Sequence, residues 1–497
     1  MRELLSPAQM SEMERNFFAQ TGTKSIDLME RAASEVAKVL IQRFGPDKRV
    51  FFACGSGGNG GDGLAAARLY QQAGGKSAIL LSRPPRTPDA QENYRRAREA
   101  GVGELSPEGS EAPEIWVDAL LGIGLSRPVE GMDKALIERM RSDVSARRSR
   151  AVVAVDIPSG VDGKTGAVLG CAANADLTVT FQSPKLGHVL GEGIAYTGEL
   201  LVRDIGIPAR FLPDAPRLYT PGDIPRDPFP RVVHKGIRGH VLLVAGSVGM
   251  AGAAALAAGA ALRSGAGLVT IACPQSIVPI LQILEPCAMC APLPEKDGAL
   301  APEALEPLCA LFPGKKAIAI GPGISRRCPA QIVEAVLRSD LPAVIDADAL
   351  NKIALTPSLA DLLRPRHILT PHPGEAARLL QRSPGDPFED ASQLGAMGEG
   401  CCVVLKGASR VIYSAPEGAL SVSATGGSGM AKGGSGDVFT GVLAGFLARG
   451  IAQPALACEL HGLAGVLAEK KYGNHGMTAQ NIVEMLPEAF LRAGEFA

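Results

Sequence analysis

A glycine-rich turn followed directly by an acid and an apolar helix is the most restrictive feature of this sequence. Residues 432–437 read Lys-Gly-Gly-Ser-Gly-Asp, and the apolar run that begins at Val438 has helical character. Glycines let successive backbone N–H groups turn toward one point, where a helix N-terminus adds partial positive charge. The pattern predicts an anion cradle with Asp437 at its rim, where a carboxylate can take a proton from a hydroxyl that attacks phosphorus. The alternative is a glycine turn that Asp437 merely caps.

Length and composition narrow the class of protein. A chain of 497 residues is too long for one ordinary domain and predicts two or three. A formal net charge of −1 without a basic block disfavours nucleic acid or an anionic membrane as a partner. The charged N-terminus lacks a secretory signal, and the scattered cysteines lack zinc-ligand spacing. We therefore expect a cytoplasmic protein that acts on small molecules.

Two blocks of alternating strand and helix patterns flank a proline-rich segment at residues 211–232. Proline breaks helices and removes backbone donors, so we expect this segment to be an extended connector. Before it, a helix is predicted at residues 26–43 and strands at 49–54, 77–81, 115–117, 151–155 and 177–181. After it, a β-hairpin is predicted beyond Lys406 and strands at 240–245, 268–272, 317–320, 343–345, 367–369 and 402–405. Apolar strands between helices predict parallel sheets that are covered on both faces.

The first block carries polar residues where its predicted strands end. The glycine loop of residues 55–63 joins a strand to a helix, the place where open α/β sheets bind phosphates. Asp118 and Asp156 follow two further strands, and Arg127 lies within reach of a phosphate. Two acids beside a polar loop could also hold a cation through oxygen ligands. The alternative is a tight turn with two capping acids.

These motifs together resemble the NAD(P)HX epimerase family, also described as the YjeF N-terminal domain. The resemblance spans residues 9–208 and includes Val-Asp-Ala-Leu-Leu-Gly-Ile-Gly and Val-Asp-Ile-Pro-Ser-Gly-Val-Asp-Gly. It implies potassium ligands at Asn59, Asp118 and Ser159. It also implies a hydrated nicotinamide nucleotide lined by Gly58, Asn59, Gly60, Gly61, Asp62, Gly122, Ile123, Gly124, Leu125, Ser126, Arg127, Pro128 and Asp156. This chain has Gly58 where the family usually has a second Asn.

The chemistry of such a substrate suits a carboxylate. The hydroxyl at C6 of hydrated NAD(P)H lies next to the ring nitrogen, so its configuration can be lost by ring opening or through an iminium ion. Both routes need proton transfer at oxygen, a task suited to Asp156. Lys185 either contributes charge or is a solvated surface lysine.

The second block resembles the ADP-dependent NAD(P)HX dehydratase family, which has a ribokinase-like fold. The resemblance spans residues 230–491 and rests on strand-end motifs that begin at His234, Ile320, Ile345, Leu369 and Val404, together with the glycine run. It implies that the hydrated dinucleotide contacts Ala253, Gly323, His372 and Asp437. It implies that the AMP portion of the nucleotide lies among Lys406, Gly407, Ala408, Ser409, Arg410, Gly427, Gly433, Gly434, Ser435 and Gly436.

Several residues of the second block keep two interpretations. His372 contacts the substrate or packs structurally after its strand. Asp346 and Asp348 hold magnesium or cap the next helix. Gly427 stands where the family has an Asn, which would loosen contacts to adenine or ribose. The alanine-rich residues 251–261 are predicted to be a packed core helix whose start approaches the substrate.

The sequence therefore predicts an α/β protein of two domains, a Rossmann-like αβα domain at residues 1–215 and a ribokinase-like domain at 225–497. The two resemblances imply a homo-oligomeric metabolite-repair enzyme. It would use K⁺ in the first domain and ADP with Mg²⁺ in the second to convert hydrated NADH and NADPH back to the reduced cofactors. Two alternatives remain: a vitamin kinase with a ribokinase-like fold, and a first domain that binds nucleotide as a regulatory module without catalysis.

Overall fold

The computed structural model describes residues 1–225, 235–415 and 417–493. The chain divides into two compact units, an N-terminal unit of Arg2–Pro216 and a C-terminal unit of Arg217–Ala497. His234, where one sequence motif begins, lies outside the described residues.

The N-terminal unit alternates strands and helices. Its strands are β1 (Arg2–Glu3), β2 (Arg49–Cys54), β3 (Lys76–Leu81), β4 (Gly103–Glu104), β5 (Ile115–Ala119), β6 (Ala151–Val155), β7 (Leu177–Phe181) and β8 (Glu199–Arg203). Its helices are α1 (Pro7–Thr21), α2 (Ser25–Phe44), α3 (Gly58–Gln72), α4 (Pro88–Glu99), α5 (Gly131–Ser145), α6 (Leu186–Val189) and α7 (Gly193–Thr197).

Seven of these strands form a parallel sheet in the order β4-β3-β2-β5-β6-β7-β8. The central strands β5, β6 and β7 are buried along their whole length, as expected for a sheet with helices on both faces. The strand order reverses between β2 and β5, and such a switch point opens a crevice at the carboxyl ends of the strands. The predicted Rossmann-like arrangement is confirmed.

The C-terminal unit is larger. Its strands are β9 (Arg217–Tyr219), β10 (His240–Val244), β11 (Leu268–Pro274), β12 (Met289–Leu293), β13 (Glu295–Lys296), β14 (Ala299–Leu300), β15 (Ala317–Ile320), β16 (Ala343–Ile345), β17 (His367–Leu369), β18 (Cys402–Leu405), β19 (Arg410–Ser414) and β20 (Ala419–Ser423). Its helices are α8 (Ala251–Arg263), α9 (Val278–Leu284), α10 (Leu305–Cys309), α11 (Ala330–Arg338), α12 (Ala347–Leu355), α13 (Pro373–Leu380), α14 (Pro387–Gly395), α15 (Ser435–Ala448), α16 (Pro454–Tyr472) and α17 (Ala479–Arg492).

The main sheet of this unit runs in the order β9-β20-β19-β18-β17-β16-β15-β10-β11-β12. Its strands are parallel except where β19 pairs antiparallel with β18 and β20, which confirms the predicted hairpin. Here the order reverses between β10 and β15. The loops after those strands meet across the crevice, where the Gly246 N–H donates to the Pro322 carbonyl over 2.8 Å.

Two glycines set the position of α15 against α8. A Cβ at Gly441 would lie 2.1 Å from the Ala257 carbonyl oxygen, and one at Gly445 would lie 2.8 Å from that of Ala261. Side chains at either position would push the helices apart. Because α8 is alanine-rich and largely buried, the two backbones pack closely and hold the N-terminus of α15 in place.

The proline-rich segment is more structured than the sequence predicts. Within the expected connector of residues 211–232, Arg217–Tyr219 forms β9, which pairs in parallel with β20. Although the prolines of this segment lack backbone N–H groups, pairing with the edge of β20 gives the backbone of β9 its hydrogen bonds. The last part of the expected connector, residues 226–232, lies outside the described residues.

Among the residues that the structure describes, no helix is both long enough and apolar enough to cross a membrane.

Candidate active sites

A cavity of about 550 Å³ opens at the switch point of the N-terminal sheet. Its walls come from the glycine loop after β2, the loops after β3 and β5, Asp156 after β6, and the helices α1 and α2. Both the volume and the position are typical of a small-molecule site.

Close backbone contacts dictate the glycine loop. A Cβ at Gly60 would lie 1.9 Å from the Gly55 carbonyl oxygen, and a Cβ at Gly55 would lie 1.8 Å from that of Leu120. Gly61 faces Met29, with a Cβ-to-sulfur distance of 2.8 Å. A Cβ at Gly58 would meet nothing within 4 Å. Gly60 and Gly61 therefore shape the loop from behind, whereas Gly58 lines the cavity at the first turn of α3.

Asp118, Ser159 and Asn59 surround the start of the β5 loop. The Ser159 hydroxyl donates to Asp118 Oδ1 over 2.6 Å, and the Ser159 N–H donates to Oδ2 over 2.8 Å. Burial raises the pKa of Asp118 to about 6, although these hydrogen bonds oppose the shift. Asn59 Nδ2 donates to the Leu121 carbonyl, while the buried Asn59 Oδ1 has no partner among the described residues. An unpaired buried oxygen beside a carboxylate and a hydroxyl is a donor set that suits a cation.

Asp156 is held in the left-handed backbone region by a dense set of contacts. Its φ is 65°, and the imidazole of His188 hydrogen-bonds to its carbonyl oxygen over 2.8 Å. Its carboxylate accepts from Lys185 Nζ at 2.5 Å and from the Thr180 hydroxyl at 3.0 Å. Strained backbone with this much support is typical of functional positions.

The charge on Asp156 is fixed by Lys185. Burial would raise the pKa of Asp156, but the Lys185 ammonium, with help from the Thr180 hydroxyl, holds it below its ordinary value. Lys185 is fully buried, so the alternative of a solvated surface lysine is wrong. Burial lowers the pKa of His188 to about 4, which leaves this imidazole neutral.

Two further acids share the cavity with Asp156. Burial and the Asp156 carboxylate raise the pKa of Glu14, with Lys185 opposing the shift. Burial, Asp156 and Glu14 hold the pKa of Asp62 well above its ordinary value. The floor of the cavity therefore combines one ionised carboxylate with two that hold protons more readily.

The other predicted residues of this unit separate into two groups. The cavity is lined by Gly58, Asn59, Asp62, Gly122, Ile123, Gly124, Leu125, Ser126 and Arg127. Pro128 is not among the lining residues, and Asp118 and Ser159 lie behind the wall, fully buried.

In the C-terminal unit, predicted residues follow consecutive strands of the sheet. Gly323 comes after β15, Asp346 after β16, His372 after β17 and Lys406 after β18. A Cβ at Gly323 would lie 3.2 Å from that of Ala253, so the loop touches the first turn of α8. The carboxyl ends of parallel strands share one edge, which is where the sheet presents a ligand site.

The glycine run forms the start of α15. Gly434 is the N-cap with φ 93°, a left-handed conformation that favours glycine, and Asp437 is the third residue of the helix. The residue at the N-cap position is Gly434, which has no side chain to bond the helix end. The interpretation of Asp437 as the cap is therefore wrong. The Ser435 N–H donates to the Lys432 carbonyl over 3.3 Å, and the other N–H groups of the first turn, together with the helix dipole, favour an anion here.

Asp346 lies beneath this turn and is bonded on both sides. Lys406 Nζ donates to Asp346 Oδ1, and the Thr440 hydroxyl donates to Oδ2, both over 2.7 Å. Asp346 is the N-cap residue of α12, as the capping interpretation expects, but its carboxylate makes no capping bond to that helix and is bonded to Lys406 and Thr440 instead. Asp348 lies in the first turn of α12, where Asn351 donates to its carboxylate.

The pKa of Asp437 moves opposite to that of Asp156. Burial raises the pKa of Asp437 to about 6, the Asp346 carboxylate adds to the shift, and the Lys406 ammonium opposes it. A carboxyl group that is poised near neutral pH suits proton transfer.

His372 caps α13 rather than packing in the interior. Its Nδ1 accepts from the Gly374 N–H over 3.0 Å, and its side chain is 52% exposed. The ring is therefore held at the rim of the strand ends with its other face open.

The residues expected around AMP occupy two turns. Lys406 begins the turn of Gly407, Ala408 and Ser409 between β18 and β19, and Arg410 donates to the Thr425 carbonyl and contacts the His461 ring. Gly433, Ser435 and Gly436 stand at or next to the α15 N-terminus. At Gly427 a Cβ would lie 2.0 Å from a Glu469 carboxylate oxygen, so that carboxylate occupies the space that a side chain at this position would need.

Sequence reasoning missed Glu14, His188 and Thr440. Each sits on a helix, where the local pattern gives no sign of a partner. Thr440 is a polar residue within an apolar helical run, and the structure shows that it is buried. That polar residue is the one signal that could have pointed to a role for Thr440.

Comparisons with known proteins cover both units. Residues 25–187 match a family profile described as YjeF-related protein N-terminus, and residues 241–488 match one described as NAD(P)H-hydrate dehydratase. A bifunctional NAD(P)H-hydrate repair enzyme of Moorella thermoacetica is 37% identical, covering 97% of this chain and 96% of its own length. One from Thermofilum pendens is 35% identical, with 98% and 96% covered.

Among solved structures, an ADP/ATP-dependent NAD(P)H-hydrate dehydratase from Bacillus subtilis, crystallised with ATP and Mg²⁺, is 30% identical with a TM-score of 0.46. It covers 56% of this chain and 98% of its own. The two profiles and the full-length relatives point to one conclusion: this chain belongs to the family of bifunctional NAD(P)H-hydrate repair enzymes.

Proposed function

We propose that the N-terminal unit interconverts the R and S epimers of hydrated NADH and NADPH, and that the C-terminal unit dehydrates the S epimer with ADP. The observation that carries this proposal is the placement of one carboxylate, Asp156 or Asp437, at the strand-end crevice of each unit. The domains would be residues 1–215 and 225–497.

In the N-terminal unit, Asp156 is the base that moves the proton of the C6 hydroxyl. Lys185 keeps it ionised, so it can accept that proton without first losing one. Loss of the proton allows the C6–O bond to become a carbonyl as the ring C6–N bond opens. Reclosure on the other face, with return of the proton, gives the second epimer. Asp62 and Glu14 line the same cavity, and their raised pKa values suit them to bind polar groups of the substrate in the protonated form.

Potassium would be held by Asn59, Asp118 and Ser159. The unpaired Asn59 Oδ1 supports this assignment, because a buried amide oxygen without a donor is costly unless a ligand satisfies it. A bound cation would supply positive charge near the glycine loop and lower the pKa of Asp118.

In the C-terminal unit, Asp437 takes the proton of the C6 hydroxyl as the hydroxyl oxygen attacks the terminal phosphorus of ADP. The bond from that phosphorus to AMP breaks, and the N–H groups of Gly434, Ser435 and Gly436 hold the negative charge. The new phosphate ester then leaves as phosphate with the electrons of the C6–O bond. A proton lost from C5 restores the double bond, so the products are NAD(P)H, AMP and phosphate.

The nucleotide would lie between the turn of Lys406–Arg410 and the glycine run, with Gly427 and Gly433 beside it. Gly323, Ala253 and His372 would border the hydrated nicotinamide. Within the described residues no group of three His, Cys, Asp or Glu side chains is arranged to hold a metal. Mg²⁺ would therefore be held chiefly by the nucleotide phosphates, whose charge it neutralises.

We also propose a cytoplasmic homo-oligomer that acts on small molecules. The ten cysteines are free thiols, which supports a reducing compartment.

The test uses the purified full-length protein and a mixture of R and S hydrated NADH. Recovery of reduced-nicotinamide absorbance is followed with ADP, with ATP and without nucleotide. We expect full recovery with ADP and none without nucleotide. Asp156→Ala should fold with reduced stability, because Lys185 is then buried without its carboxylate, and should stop recovery at the S fraction of the mixture. Recovery without nucleotide would contradict the dehydratase proposal, and full recovery by Asp156→Ala would remove Asp156 from the epimerase mechanism.

A further inference from the structure

The loop that joins β3 to α4 forms the far wall of the N-terminal cavity. Ser82, Arg83 and Arg86 all line it. The loop is fixed against β2 and the glycine loop, because the Ser82 N–H donates to the Cys54 carbonyl over 3.0 Å and the Arg86 N–H donates to the Ser56 carbonyl over 2.8 Å. The backbone of this loop is therefore fixed next to the glycine loop, where phosphates bind in sheets of this kind.

The strand order tells which part of a dinucleotide would reach this wall. β3 lies on one side of β2, whereas β5 and β6 lie on the other. In sheets of this order the pyrophosphate lies at the glycine loop and the adenosine ribose lies over the strand that corresponds to β3. Asp156 at the end of β6 then falls at the nicotinamide end, where the proposed chemistry takes place. The Ser82–Arg86 wall falls at the adenosine ribose.

The residues that end β3 are those expected for a phosphorylated ribose. An acid at this position binds the ribose 2′-hydroxyl, and an arginine accommodates a 2′-phosphate. Here β3 is followed by Ser82 and then Arg83. The Ser82 hydroxyl oxygen is buried without a hydrogen-bond partner in the described part of the chain, so the wall holds an unused polar group.

The nearby carboxylates are already bonded. Arg83 pairs with Asp133 at 2.5 Å, and Asp89 accepts from the Ser25 hydroxyl at 2.6 Å. Arg86 is exposed, and its side chain makes no hydrogen bond or ion pair within the residues that the structure describes. Its guanidinium is thus the free cation of this wall, and guanidinium suits phosphate through paired N–H groups.

Resting on the epimerase function proposed above, we infer that Ser82 and Arg86 bind the 2′-phosphate of the adenosine ribose. The N-terminal unit is accordingly selective for hydrated NADPH over hydrated NADH.

The first test measures kcat/KM of epimerisation for both substrates in the full-length protein. The wild type should favour hydrated NADPH by about tenfold or more, since a hydrogen-bonded charge pair contributes on that scale. Arg86→Ala should lower the ratio of the two kcat/KM values by about tenfold through KM. Arg86→Lys should keep part of it. Arg141→Ala, an exposed arginine on α5 outside the cavity, is the matched control and should keep the wild-type ratio.

The second test separates this inference from the proposed function. Binding of adenosine 2′,5′-bisphosphate and of 5′-AMP is measured by calorimetry in the wild type and in Arg86→Ala. If the wild type binds the bisphosphate more tightly than 5′-AMP and Arg86→Ala loses that difference, the inference is supported. This holds even if the protein does not catalyse epimerisation, because a lack of epimerisation would contradict only the proposed function. Equal ratios of kcat/KM in the wild type and Arg86→Ala, or equal bisphosphate binding, would overturn the inference.

Discussion

The two units differ in the charge that contacts their candidate catalytic carboxylate. Each has a largely parallel sheet whose strand order reverses, between β2 and β5 in one and between β10 and β15 in the other, and each places an aspartate at the resulting crevice together with a lysine. In the N-terminal unit the lysine contacts the candidate base itself, Asp156. In the C-terminal unit Lys406 contacts Asp346 instead, and Asp437 lies beyond that pair.

This difference sets the proton affinity of the two bases. A buried carboxylate in contact with an ammonium group stays ionised. A carboxylate beside an existing carboxylate–ammonium pair has no cation of its own, so burial and the neighbouring carboxylate both raise its pKa. The pKa of Asp156 is therefore lowered and that of Asp437 is raised to about 6. The same residue types on similar sheets yield a base that is held ionised near neutral pH and a base that titrates there.

The largest expected effect is on chemistry at the C-terminal site. Asp437→Asn removes the base but keeps the volume, so we expect dehydration to fall by about 10²–10⁴-fold. Epimerisation in the same sample serves as the internal control and should be unchanged. Because burial disfavours the Asp437 charge, the melting temperature should not fall. Dehydration at the wild-type rate would show that Asp437 is not the base.

The second prediction removes the lysine that contacts its base. Lys185→Met leaves Asp156 buried without its ammonium partner, and breaking a buried pair costs about 3–5 kcal/mol of unfolding free energy. Epimerisation should fall as the pKa of Asp156 rises. Urea unfolding and epimerisation rates measure the two effects.

A double variant provides the control for this lysine. Asp156→Asn with Lys185→Met should recover most of the lost stability but none of the activity, because no charge is then left unpaired. If the single variant were as stable as the wild type, the contrast between the two units would have no energetic basis.

The third prediction uses pH. A carboxylate base works when deprotonated, so dehydration should fall about tenfold per pH unit below the pKa of about 6 at Asp437 and level off above it. Asp156 stays ionised over the same range, so epimerisation should not fall toward low pH as dehydration does, and a fall toward high pH would mark the loss of protons from Asp62 and Glu14. Parallel profiles of kcat/KM for the two activities would contradict the assignment of opposite pKa shifts.

The smallest effect concerns Gly58, where the resemblance to the epimerase family implies an Asn. A Cβ at Gly58 would meet no atom within 4 Å, so Gly58→Asn should fold normally and lower the KM of epimerisation by about fivefold through one added hydrogen bond. Gly60→Asn is the matched control: its Cβ would overlap the Gly55 carbonyl, and we expect a loss of stability in thermal unfolding. An unchanged KM in Gly58→Asn would mean that the missing amide has no partner on the substrate.

The sequence predicted most strands closely because their apolar runs are buried on both faces. The predicted and observed bounds coincide for Ala151–Val155, Leu177–Phe181 and Cys402–Leu405. Edge strands such as Glu199–Arg203 and Met289–Leu293 were missed, since half-exposed residues break the apolar run. The strand at Arg217–Tyr219 was read as a connector, because its pairing with β20 cannot be recognised from a proline-rich neighbourhood.

The sequence by itself determined the parts of the sites that follow strands or glycines: the glycine loop, Asp118, Asp156 and the run before Asp437. These are local, since a turn that needs glycine and an acid after a strand are visible within a few residues. Only the tertiary structure decided which charges meet. Lys406 and Asp346 are 60 positions apart, and Lys185 and Asp156 are 29 apart. The pKa of a carboxyl group depends on burial and on the charges within a few ångströms, and folding alone brings those together.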